Sequence, residues 1–189
     1  QVTDESHFNE VFITDAVCPV DNRLGAEGAG WRVLQTALAY ERSVMGDGAR
    51  GPRNASAKVS LIDLARDAGK LNDPVLRQDL ARVIAYRRLN DLNNARAKAD
   101  LKEGTSSPIM SLGKLAMSRI LHEEARLRTS MLGAASLLEG KDFPVSDDAN
   151  FLSLNAYFTS IGGGTDQIQR NIIGERVLGL PKEPEVDRD

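Results

Sequence analysis

From Gly30 to Val177 the apolar residues of this chain return every three or four positions. That period lets a segment bury one stripe along a helix, so most of the chain must fold as packed helices. The stripe opens after the glycine-rich "GAEGAG" with Trp31, Leu34, Leu38 and Glu41, spaced 3, 4 and 3. A helix is therefore expected from near Gly30. Gly46, Gly48, Gly51 and Pro52 predict a kink or break, with helix resuming through "NASAKVSLIDLARDAG" and stopping near Gly69. Asp73-Pro74 is a restart, an N-cap followed by proline at the first helical position. Leu76, Leu80, Val83, Ile84, Leu89, Leu92 and Ala95 carry the next stripe to about Ala99.

"KEGTSSP" ends that helix and opens another at Pro108, expected to run through "LGAASLL". Its apolar face holds Ile109, Leu112, Ala116, Ile120, Leu127 and Met131; Met110, Met117 and Met131 read as gap-filling core. "EGKDFPVSDDAN" reads as a loop, and "FLSLNAYFTS" leaves its type open. Thr165 caps a last helix through Ile168, Ile172 and Val177. The expected fold is mostly α, an antiparallel helical bundle over residues 28–180 followed by a polar tail, 181–189. Ahead of it, "HFNEVFIT" and "AVCPV" lean toward β and predict one or two strands in residues 1–27, left over from a sheet whose remainder is absent. The opening "QVTDESHFNEVFITDAVCPVDN" reads as the middle of something longer.

Composition narrows the function classes. A net charge of −3, with signs alternating along the chain, advertises neither nucleic acid nor an anionic membrane. No apolar run approaches the ~18 residues a membrane span needs. His7 and His122 lie far apart with no cysteine or carboxylate cluster at ligand spacing, so no metal site is expected. The single Cys18 excludes an internal disulfide and fits a reducing, cytoplasmic compartment. Beside "AVCP" it reads as a strand or turn residue.

The sharpest local feature is "TSIGGGTDQIQRNIIGERVLGLP", three glycines directly before a helix cap. Either the backbone there passes very close to something, or one glycine stands where another protein carries a working side chain. Together with "FNEVFITDAVCPVDNRLGAEGAGW", this segment resembles the acyl-CoA dehydrogenases, at the end of their β-domain and through their C-terminal helical domain. The final motif is usually written Tyr-Glu-Gly-Thr ahead of a Gln-Ile-Gln-Arg-type helix. On that pattern Gly162 stands at the tyrosine, Gly163 at the usual catalytic glutamate, Gly164 at the family glycine and Thr165 at the threonine. One branch of the family, with isovaleryl- and long-chain-type enzymes, carries its glutamate on the first helix of this domain. Here "TALAYERSVM" supplies Glu41-Arg42.

The resemblance implies FAD, an acyl-CoA thioester substrate, electron transfer to an electron-transferring flavoprotein, and a homodimer or homotetramer. It implies Glu41 as the base that removes the α-proton and Arg42 as a residue that orients it or balances its charge. It implies Gly164 against substrate, and Thr165, Asp166 and Gln167 against FAD. Arg66 in "LARDAGK" stands at a flavin-contacting arginine, without the phenylalanine that usually follows, and Gly133 in "SMLGAASL" is the survivor of a Gln-x-x-Gly-Gly-x-Gly flavin segment. Two rival readings keep their own support. Weakened flavin motifs suit a silent subunit of a heteromeric dehydrogenase or a flavin oxygenase of the same fold, and a missing N-terminal half suits a free-standing helical interaction domain.

Overall fold

The computed structural model describes residues 1–6, 8–45, 59–102, 109–182 and 184, and for 39–45, 101, 102, 109 and 110 the backbone alone. The chain divides into two compact units, Gln1–Ala49 and Arg50–Asp189.

In the first unit, the strands expected in residues 1–27 are not formed among the described residues. Among the described residues there the regular element is a 3-10 turn, Val20–Asn22, behind Pro19. A strand needs a neighbouring edge for its N–H and C=O groups, and the β-leaning side chains have none to pack on. Phe8, Val11, Phe12, Ile13 and Val17 are 72–94% exposed. Gly25 and Gly28 turn the chain through left-handed φ values of +81° and +77°, and α1 (Gly30–Met45) begins where the helical period begins. Its stripe does not form a core: Trp31 and Leu34 are exposed.

The second unit is the bundle. Ser60 caps α2 (Leu61–Asp67) by accepting from the Asp63 amide. The helix stops at Gly69, φ +67°, where Lys70 N–H reaches Ala65 C=O and Gly69 N–H reaches Arg66 C=O; this paired closure is why glycine marks the stop. Asp73 caps α3 (Pro74–Lys102) through Oδ1, 2.9 Å from Val75 N and 3.1 Å from Leu76 N. Leu76, Leu80 and Val83 join Leu64, Ala65, Leu127 and Met131 in the core.

Past Val83 the buried face of α3 departs from the expected stripe. Asn90 and Ala97 are buried, whereas Ile84, Leu89 and Leu92 are exposed. Buried positions 83, 90 and 97 recur every seven residues, the period of a helix lying along another helix. That neighbour is α4 (Ile109–Leu132). Arg87 pairs with Glu124, and Gly113 sits against Asn94, where a Cβ would lie 2.6 Å from Asn94 Oδ1. These contacts run α3 and α4 antiparallel at close range.

The fourth helix ends sooner than the sequence suggests, because Gly133 turns left-handed (φ +57°) into a 3-10 segment, Gly133–Leu137. The segment read as a loop and an open approach is largely one helix, α5 (Pro144–Ile161), with proline at its start. Ser146, Asp147, Asp148 and Asn150 are poor helix formers. Burial of Ser146, Asp148, Ala149, Phe151, Asn155 and Ala156 on the bundle overrides that preference. Thr165 caps α6 (Asp166–Ile172), its Oγ1 3.3 Å from Ile168 N. A π turn, Ile173–Val177, closes the element, and the five-residue step from Ile172 to Val177 is its trace in the sequence. Helix α4 lies at the centre, touching α2, α3, α5 and α6.

Candidate functional site

The three glycines form a tight turn between α5 and α6. Gly162 is extended (φ −67°, ψ 150°) and its N–H closes α5 on Phe158 C=O at 2.7 Å. A Cβ on Gly162 would stand 3.2 Å from that oxygen and from the Phe158 ring. Gly163 and Gly164 are left-handed, at φ +67° and +92°. On Gly164 a Cβ would come within 2.7 Å of Gln169 Nε2. That amide belongs to a buried side chain and donates to Gly163 C=O at 3.2 Å. Beside Gly163 the space is open, with nothing within 4 Å of a Cβ position.

Asp166, the first residue of α6, is held from α4. Lys114 Nζ lies 2.9 Å from Oδ1, and Ser118 donates to Oδ2 at 2.7 Å. Ser118 is itself buried and 3.2 Å from Ser160 Oγ. Ser160 in turn meets His122 Nε2 at 2.6 Å and Ala156 C=O at 3.2 Å. The His122 ring stands edge-on to Tyr157, centroids 4.9 Å apart. Past His122 opens a depression of about 570 Å³ lined by Arg126, Thr129, Gly133, Ser153 and Tyr157. Arg126 is tied to Asp79 at 2.9 Å and to Glu123 at 3.1 Å, and its hydrogen bond holds the Asp79 carboxyl below its usual range.

The expected site residues are thus distributed as follows. Gly164, Thr165, Asp166 and Gln167 come together in one turn, and Gly133 borders the depression. Arg66 stands on α2, ion-paired with Asp63; the Ser60 hydroxyl, then Arg66, keep that carboxyl below its usual range. Glu41 and Arg42 lie in α1, and their side chains fall outside the described residues. Lys114, Ser118, His122 and Ser160 were not anticipated. Their one sequence signal is a spacing of four, Lys114, Ser118 and His122 along α4, a polar line beside the apolar face.

Among the described residues no three His, Cys, Asp or Glu side chains gather to hold a metal, and no helix is long and apolar enough to cross a membrane.

Comparison with known proteins gives the site its context. Residues 28–178 match the family described as acyl-CoA dehydrogenase, C-terminal domain. Acyl-CoA dehydrogenase IpdE1 of Mycolicibacterium smegmatis is 35% identical over 185 residues, 97% of this chain and 45% of the relative. The IpdE1 of Mycobacterium tuberculosis is 33% identical over 187 residues, 97% of this chain and 46% of that protein. The chain therefore spans just under half the length of these relatives. Among solved structures, "Tcur3481-Tcur3483 steroid ACAD" superimposes with a TM-score of 0.71 at 23% identity, covering 88% of this chain and 44% of that one. The ChsE4-ChsE5 complex from Mycobacterium tuberculosis gives 0.64 at 24% identity, covering 88% and 45%. Both show the same fold. With the family match over most of its length, the helical bundle and the glycine-threonine turn in place, this chain belongs to the acyl-CoA dehydrogenase family, in its C-terminal helical domain.

Proposed function

We propose that the protein is an FAD-dependent acyl-CoA dehydrogenase that desaturates an acyl-CoA thioester between its α and β carbons, with Glu41 as the base. One observation carries this reading. Gly163, at the position where the family usually keeps its glutamate, offers no carboxylate and holds a left-handed backbone, φ +67°. The carboxylate must come from another element, and "AYERS" on α1 supplies Glu41-Arg42 where a branch of the family places it.

The residues present fit the cofactor. Two consecutive left-handed glycines leave the turn without Cβ atoms, and open space lies beside Gly163, so a flat polar group has room against the main chain. Thr165, Asp166 and Gln167 would hold it from this turn, with Arg66 and Gly133 as further contacts. FAD, when bound, supplies the acceptor for the hydride that leaves the β-carbon, and an electron-transferring flavoprotein then takes the electrons. Glu41 takes the α-proton as the double bond forms, Arg42 orients that carboxylate or balances its charge, and Gly164 lies against the thioester. These roles place the protein in lipid metabolism, in fatty acid β-oxidation.

In the native protein, Glu41→Gln should retain flavin and acyl-CoA binding while slowing bleaching of the flavin absorbance by ~10²–10⁴-fold, the usual contribution of a positioned base. Bleaching at the wild-type rate would transfer the assignment to the silent-subunit or oxygenase reading.

A second reading concerns assembly and substrate. The two solved relatives carry paired names, Tcur3481-Tcur3483 and ChsE4-ChsE5, and the first is titled a steroid ACAD. On this reading the protein works in a heteromeric complex on a bulky steroid thioester, instead of as a homotetramer on a linear chain. Native mass spectrometry of the purified assembly separates the two assemblies, and flavin bleaching by a steroid against a linear acyl-CoA separates the substrates.

A further inference from the structure

In the chain of polar groups from His122 to Asp166, the count of protons decides who donates. The Asp166 carboxylate, paired with Lys114, only accepts. Ser118 has one proton and spends it on Asp166 Oδ2 at 2.7 Å. The longer contact from Ser118 to Ser160 Oγ, 3.2 Å, takes a weaker share of the same proton. Ser160's single proton goes to Ala156 C=O at 3.2 Å, so it is not available to His122. The 2.6 Å contact must therefore be donated by His122 Nε2–H. The reverse tautomer would draw the Ser160 proton to His122 and leave lone pair facing lone pair at Ala156 C=O.

We propose that Lys114 and Ser118 are positioning residues for the Gly162–Thr165 turn, acting through Asp166, and that Ser160, accepting from Ser118 and from His122, braces Ser118 beside that carboxylate. Both oxygens of Asp166 face α4, so the carboxylate anchors the turn to the central helix. The flavin contact assigned to Asp166 above then falls to its main chain. The proposal deepens the reading of that turn and rests on it for its link to flavin. Its test reads a tautomer and an exchange rate, neither of which needs turnover, so it fails separately from Glu41.

Nitrogen-15 NMR of the native protein, labelled at histidine and observed above the imidazole titration range, should show His122 protonated at Nε2 and bare at Nδ1. A bare Nε2 overturns the proposal. Independently, Lys114→Met should speed hydrogen exchange of the amides at 162–165 by about tenfold or more, the scale of one charge-assisted bond, and Lys114→Arg should restore it. Unchanged exchange in Lys114→Met would remove Lys114 as a positioning residue.

Discussion

Gly163 has room for a side chain but a backbone that resists one. Open space surrounds its Cβ position, while φ +67° is a conformation that costs a non-glycine residue about 1–3 kcal/mol. On the proposed reading, in which the two positions address the same α-carbon, introducing Gly163→Glu into the Glu41→Gln background should restore part of the flavin bleaching. Rescue should stay incomplete, since a base about 1 Å out of place can lose ~10²-fold. No rescue would leave Glu41 as the base and remove only the equivalence of the two positions. A second residue-scale outcome concerns Asp148, buried with an Oδ1 that accepts no hydrogen bond from the protein. Burial raises its carboxyl pKa more than the Arg128 guanidinium lowers it, and Asp147 raises it further. The folded carboxyl thus holds its proton more tightly than the unfolded one. The stability this gives is complete below the ordinary aspartate pKa, ~3.9, and is lost as pH rises through the raised value. Asp148→Asn has no proton to lose. Its stability relative to wild type should climb across that window and then level off, read as urea midpoints on a pH series; a flat or falling difference would contradict the assignment.

Among elements, the ones marked by local chemistry are legible in the sequence. Asp73-Pro74 announces α3 because a side-chain oxygen and a missing N–H solve a helix start within four residues. Gly69 and Thr165 announce an end and a start for the same reason. Replacing Asp73 by alanine should cost ~1 kcal/mol in chemical denaturation, and by glycine only a few tenths; equal losses would mean that the cap bonds are not what Asp73 contributes. What sequence could not show was set by distant partners. Ser146, Asp148 and Asn155 argue against α5 one at a time, and only their burial on the bundle makes them helical. The line Lys114, Ser118, His122 gains meaning from Ser160 and Asp166, between 38 and 52 residues away. The strands expected ahead of Gly30 fail in the opposite sense: local preference was present and a partner edge was not.

For the whole molecule, α5 leaves an apolar strip uncovered among the described residues. Tyr157, Phe158 and Ile161, within about one turn of each other, are 60%, 42% and 64% exposed. Apolar surface gathered in this way marks an interaction face in soluble proteins. Sedimentation at high micromolar concentration should show association; monomer alone would count against a homodimer, a homotetramer or any assembly through this face by identical copies. The same exposed rings carry a thermodynamic consequence. If the folded form is shared between copies, mass action enters the unfolding equilibrium, and the protein has no single melting temperature. Diluting it about a hundredfold should lower the midpoint, so a stability measured at one concentration describes that solution and not the chain.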